Sequence, residues 1–181
     1  MRLGLGTAQF GSSYGVSNAT GMVGCGEVDR ILKLANSNAI DTLDTAISYG
    51  NSELVLGKVG CESFKIVTKL PKLPKNVADI EKWLRGETRK SLLRLNRKSL
   101  YGILIHHSEN LLGSEGVRLV KVLEILKDEG IVRKIGVSIY DPSELNLVFE
   151  TMDANLIQAP VNIIDRRLIT SGWLEKLTNN G

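Results

Sequence analysis

Asp41-Thr-Leu-Asp-Thr-Ala-Ile-Ser-Tyr-Gly-Asn-Ser-Glu53 is an apolar-edged strand that ends in a carboxylate and runs into a loop carrying one tyrosine. Asp44 falls at the strand's end, and Tyr49 sits in the turn marked by Gly50. Asn51 or Ser52 is placed to cap a helix that begins near Glu53. A carboxylate and a phenol at the end of one strand can face one pocket.

The following segments end in the same way. Phe64-Lys-Ile-Val-Thr-Lys69 is a short β-branched run broken by Pro71, so Lys69 also lies at a strand's far end. Tyr101-Gly-Ile-Leu-Ile-His-His107 ends in imidazole. Along the whole chain, strand-like runs occur near Arg2–Leu5, Ile40–Asp44, Lys65–Lys69, Tyr101–His106, Lys134–Ser138 and Asn155–Ala159. Helical patterns separate them, over Gly26–Asn36, Glu53–Lys58, Val77–Leu95, Gly116–Glu129, Pro142–Glu150 and Leu168–Thr178. In Gly116–Glu129 the residues Val117, Val120, Leu123 and Leu126 recur at helical spacing, and Gly130 stands where a C-cap is expected. Strands alternating with helices imply a parallel sheet.

A parallel sheet is either open and doubly wound or closed as a barrel. A dinucleotide-binding Gly-x-Gly-x-x-Gly would need glycine where Gln9 stands in Gly4-Leu-Gly6-Thr7-Ala-Gln9-Phe-Gly11, with a helix directly after it, and neither is expected here. In a barrel, functional groups gather at the carboxyl ends of several strands. That is the pattern of this chain: Gly6 and Thr7 follow the first run, Asp44 and Tyr49 the second, Lys69 the third, His106 the fourth, Ser138 the fifth, Gln158 and Asn162 the sixth.

This order resembles the aldo-keto reductases, whose Asp, Tyr, Lys and His tetrad lies on successive strands of a (β/α)8 TIM-type barrel. The family's Asp-Thr-Ala-x-x-Tyr-Gly-x-Ser-Glu motif matches Asp44 through Glu53. Gly4-Leu-Gly6-Thr7 is similar to its opening, Arg133-Lys-Ile-Gly-Val-Ser138 to its Ile-Gly-Val-Ser-Asn segment, and Ile157-Gln-Ala-Pro-Val-Asn162 to its Gln-x-x-x-Asn stretch. The resemblance implies catalytic roles for Asp44, Tyr49, Lys69 and His106. It implies cofactor contacts from Gly6, Thr7, Asp44, Ser138 and Gln158, with Ser138 and Gln158 holding a nicotinamide carboxamide; Ile139 stands where the family has an asparagine. The cofactor so implied is NADP, or NAD, and the substrate a small carbonyl compound or alcohol.

The chemistry of the residues agrees with this. A free phenol has a pKa near ~10 and is a poor acid at neutral pH, so a proton-donating tyrosine needs its developing phenolate stabilised. Lys69 is expected to do this, with Asp44 orienting the lysine and a histidine holding the substrate oxygen. Side chains alternate along a strand, so His106 and His107 are expected on opposite faces, with His106 in the site. No side chain carries hydride, so reduction requires a cofactor. A metal-dependent barrel hydrolase using Asp44 and His106 as ligands lacks further ligands of the right kind, and no metal is expected. The remaining alternative is a nucleotide-binding regulatory or inactive protein of the same fold.

Composition narrows the classes further. Of the 181 residues 43% are hydrophobic, and 23 basic residues are interleaved with 20 acidic ones to give a net charge of +3. With no basic stripe, nucleic acid is not an expected partner. Cys25 and Cys61 are isolated, without zinc-ligand spacing. No signal-like N-terminus and no apolar run near ~20 residues are present, so no membrane is expected and the chain reads as cytoplasmic and reduced. Residues 1–181 read as one domain. It carries about six βα units where a full barrel has eight, so it is expected to be incomplete at its C-terminus, with open sheet edges that invite self-association.

Overall fold

The computed structural model describes residues 3–179. Six parallel strands form one sheet in the order β1-β2-β3-β4-β5-β6: β1 (Gly4–Gly6), β2 (Thr42–Asp44), β3 (Lys65–Leu70), β4 (Leu100–Ile105), β5 (Val132–Ser138) and β6 (Leu156–Gln158). Between them run α1 (Ala8–Gly11), α2 (Cys25–Ser37), α3 (Ser52–Val59), α4 (Ile80–Leu95), α5 (Gly113–Asp128) and α6 (Glu144–Thr151), and α7 (Arg167–Thr170) and α8 (Trp173–Asn179) follow β6. A 3₁₀ turn, Ser108–Leu111, leads from β4 toward α5.

The central strands are apolar on both faces, as parallel strands covered on both sides must be. Outward-facing Ile66, Leu70, Ile103, Ile105, Ile135 and Val137 join the main core with Val28, Leu56, Leu84, Leu123 and Val148 from the helices. On the inner face, Val67 and Leu104 line a cavity of about 430 Å³ together with Gly4 and Gly6 of β1 and Leu156 and Gln158 of β6. The first and last strands thus look onto one space, and the sheet is a curled part of a (β/α)8 barrel. Among the described residues β1 and β6 are not bonded to each other, so both are edges.

All six strands lie where the sequence places them, with ends shifted by one or two residues; Arg2, where the first was expected to start, lies outside the described residues. Several details differ. A one-turn helix, α1, does follow β1 directly, although its sequence has no helical period to announce it. Helix α3 begins at Ser52 after Asn51, but neither side chain caps it, because the Ser52 hydroxyl is turned inward to Thr7. Helix α4 starts at Ile80 and not Val77, since Asp79 caps it by accepting from the Lys82 amide at 2.9 Å. In α5, Val117 is 62% exposed and only Val120, Leu123 and Leu126 of the expected stripe are buried. The segment expected as one helix from Leu168 to Thr178 is broken in two at Ser171 and Gly172, the latter at φ 75°.

Helices α3 and α4 pack tightly at Gly57, where an added Cβ would stand 2.1 Å from the Arg94 carbonyl oxygen. Gly57→Ala must separate the two helices and should lower stability by about 1–3 kcal/mol in urea denaturation, the usual cost of overpacking. An unchanged midpoint would mean that the helices part at no cost.

Candidate active site

Register brings the candidate residues together at the carboxyl ends of the strands. Asp44 lies beside Gly6 of β1 and Val67 of β3. Beyond it the chain stays paired with β3 through the Thr45 amide to the Val67 carbonyl (2.9 Å) and the Ile47 amide to the Lys69 carbonyl (3.1 Å). Tyr49 then folds back over the strand end, its amide bonded to the Ala46 carbonyl at 3.0 Å. Alternation on β3 turns Val67 and Lys69 to the cavity side and Thr68 to the helices.

Lys69 is 1% exposed. Its ammonium donates to the Asp44 carboxylate at 2.6 Å, the Thr45 carbonyl at 2.9 Å and the Tyr49 hydroxyl at 3.3 Å, which uses all three protons. Burial lowers its pKa below the ordinary lysine value, and Asp44 opposes that shift. The Tyr49 phenol is pushed up to about 12, first by burial and then by Asp44, with smaller effects of Tyr14 and Tyr140. The Lys69 ammonium, 3.3 Å from the hydroxyl, does not bring the phenol below its ordinary value. The phenol keeps its proton at neutral pH.

His106 meets the Tyr49 ring edge-on, with centroids 6.0 Å apart, and its Nδ1 lies 3.3 Å from the Ser48 hydroxyl. Burial, then the charges of Lys69 and His107, hold its pKa below the usual histidine value, so the ring is neutral at pH 7. His107 is not on the opposite face. Strand β4 ends at Ile105, alternation stops there, and the two imidazoles lie 5.1 Å apart. His107 faces Glu109, which is paired with Lys72.

The residues named for cofactor contact divide into two groups. Nothing stands within 4 Å of a Cβ built on Gly6, which borders the cavity. Ser138 and Gln158 are register partners on neighbouring strands, and their side chains make no hydrogen bond among the described residues. Two unengaged polar groups side by side suit an amide ligand, which both donates and accepts. Thr7 differs, because it is fully buried and its hydroxyl donates to the Asp44 carbonyl and accepts from Ser52. Its work is to hold the end of β2. Ile139 is buried in the core, with its amide bonded to the Gln158 carbonyl at 2.8 Å.

Sequence reasoning missed the supports. Glu144 accepts from the amides of Tyr140 and Asp141 (2.9 and 2.6 Å) and from the Ser108 hydroxyl, joining the loops after β4 and β5. Gly11 presses on the Tyr49 carbonyl so closely that a Cβ would stand 1.9 Å from its oxygen. Glycine before a loop is too common a signal to have revealed this. Among the described residues no group of three or more His, Cys, Asp or Glu side chains could hold a metal ion, and no helix is long and apolar enough to cross a membrane.

A partial parallel barrel with Asp44, Tyr49, Lys69 and His106 at its mouth defines the class of protein. The sequence matches the aldo/keto reductase family over residues 2–181, and the chain belongs to that family. No curated protein matches it. Among solved structures it is similar to a Pseudomonas aeruginosa protein assigned to the aldo-keto reductases (25% identity, TM-score 0.76), covering 94% of this chain and 68% of that one. It is also similar to a glycerol dehydrogenase from Gluconobacter oxydans (25%, TM-score 0.70), covering 96% and 56%. An aldo-keto reductase of Klebsiella pneumoniae in complex with NADP and acetate has the same fold (21%, TM-score 0.74), covering 96% and 59%. The chain thus spans a little over half of the latter two.

The charge of Lys69 disfavours the imidazolium of His106. Removing it in Lys69→Met should raise the His106 pKa toward the ordinary histidine value of about 6.5. An NMR titration of the imidazole C2 proton reads this directly, and an unmoved midpoint would separate the two groups electrostatically.

Proposed function

We propose that residues 1–181 are one domain carrying the reacting groups of an NADP- or NAD-dependent oxidoreductase that reduces an aldehyde or ketone to an alcohol. The observation that carries this reading is the Lys69 ammonium, held between the Asp44 carboxylate (2.6 Å) and the Tyr49 hydroxyl (3.3 Å). The NADP and acetate in the Klebsiella pneumoniae structure agree with it.

A bound nicotinamide would supply the hydride that no side chain can carry. Gly6 leaves room at the end of β1, and Ser138 and Gln158 offer free donors and acceptors to a carboxamide. Neutral His106 donates a hydrogen bond to the substrate carbonyl oxygen and orients it toward Tyr49. Tyr49 is protonated across the neutral range and gives its proton to that oxygen as negative charge develops there. Lys69 then stabilises the phenolate left behind, and Asp44 keeps the lysine charged and aimed. Oxidation of an alcohol uses the same groups in reverse.

Tyr49→Phe removes the donated proton and little else. It should reduce carbonyl-dependent NADPH oxidation by about 10²–10⁴-fold, the usual worth of a general acid, with NADPH affinity nearly unchanged. Near-normal turnover would take the acid role from Tyr49. Absence of turnover with every carbonyl tried, with binding retained, would instead favour a nucleotide-binding regulatory protein of the same fold.

Among the described residues both sheet edges carry unpaired backbone groups, so the protein should self-associate in sedimentation. A monomer at tens of micromolar would overturn this.

A further inference from the structure

Glu53 is a carboxylate with 2% exposure, on the side of β3 away from the cavity. One oxygen accepts from the hydroxyls of Thr68 and Ser91, each at 2.6 Å. The other accepts from Arg94 Nε at 2.8 Å, with Arg94 Nη2 at 2.6 Å. The side chain therefore ties α3 to β3 and to α4. A buried ion pair is a poor means of stabilising a core, since desolvation offsets much of its attraction, while its geometry is strict. Three elements meeting on one carboxylate point to a positional reason.

That reason lies in the chain direction. Thr68 and Lys69 are neighbours on β3 facing opposite ways, and Tyr49 opens a tight turn, closed by the Ser52 amide on the Tyr49 carbonyl at 3.0 Å, which Glu53 follows directly in the first turn of α3. The turn straddles the end of β3. Its inner end meets Lys69 through the Tyr49 hydroxyl, and its outer end meets Thr68 through Glu53. The Ser52 hydroxyl fastens the turn to Thr7 on one side, and Glu53 adds the hold on β3 itself.

We propose that Glu53 is a positioning residue, which clamps the outside of β3 at Thr68 and so sets the separation of the Tyr49 hydroxyl from the Lys69 ammonium. The proposal rests on the reductase reading for its catalytic consequence but not for its geometry. Asp44, Lys69, His106, Tyr14 and Tyr140, the titratable groups acting on or touching Tyr49, are untouched by a change at Glu53.

Glu53→Gln keeps the size and loses the charge, and Thr68→Val removes one hydroxyl from the same clamp. With tyrosine labelled at Cζ and the Tyr49 signal assigned from Tyr49→Phe, the phenol should titrate near 12 in the parent protein. In both variants the midpoint should fall toward 10, as the released turn lifts the ring into water, with the smaller change in Thr68→Val. The kcat for carbonyl reduction should fall by roughly 100-fold in Glu53→Gln, the scale of an ångström of misplacement, with KM for NADPH nearly constant. A lowered melting temperature with an unmoved Tyr49 titration and an unmoved kcat would make Glu53 purely structural and overturn the proposal. If Glu53→Gln does not fold, Thr68→Val alone decides by the same titration. A shifted titration in a protein that turns over no carbonyl would leave the clamp standing and defeat the reductase reading.

Discussion

An ammonium ion enclosed at the end of a strand sets the terms for everything around it. Removing a charge from water costs several kcal/mol unless partners replace the lost hydration. Lys69 has such partners in the Asp44 carboxylate, the Thr45 carbonyl and the Tyr49 hydroxyl, all from one short stretch of chain following β2. Charge and register are therefore coupled. If β2 slipped against β3 by one residue, Asp44 would turn to the helices and the lysine would be stranded.

The same constraint explains the layer of hydroxyls beneath the site. Thr7, Thr45 and Ser52 are buried and bonded to one another or to backbone carbonyls, and they hold the ends of β1 and β2 and the start of α3 at fixed separation. Apolar side chains in these places would pack but would not direct the turn. On the other side of the mouth, Glu144 links the loop after β4 to the loop after β5. The strand ends supply Asp44 and Lys69, and buried polar contacts between successive loops fix their surroundings.

The electrostatics follow from the enclosure. Burial raises the phenol of Tyr49 and lowers the bases Lys69 and His106, so each group is driven toward its neutral form and only Asp44 holds Lys69 back. At neutral pH a protonated tyrosine therefore stands beside a neutral imidazole and a lysine held by a carboxylate.

The strand order, the six parallel strands and the four groups Asp44, Tyr49, Lys69 and His106 were legible because each depends on local pattern: short apolar runs, breakers after them, and a polar residue at each run's end. The family motif from Asp44 to Glu53 is likewise contiguous in the chain. What was not legible depends on contacts between distant segments. Thr7 has the look of a cofactor contact until β2 and α3 close over its hydroxyl. His107 has the look of an outward residue until β4 is seen to stop at Ile105. Val117 fits the apolar stripe of α5, yet no neighbour covers it. The direction of the Tyr49 pKa shift required the burial of the ring and the distance to Asp44. The chain by itself determined which residues stand at the strand ends, since alternation and turn chemistry are local; only the tertiary structure decided which of them stay free to meet a ligand, because burial and hydrogen-bond commitment are settled by elements far apart in sequence.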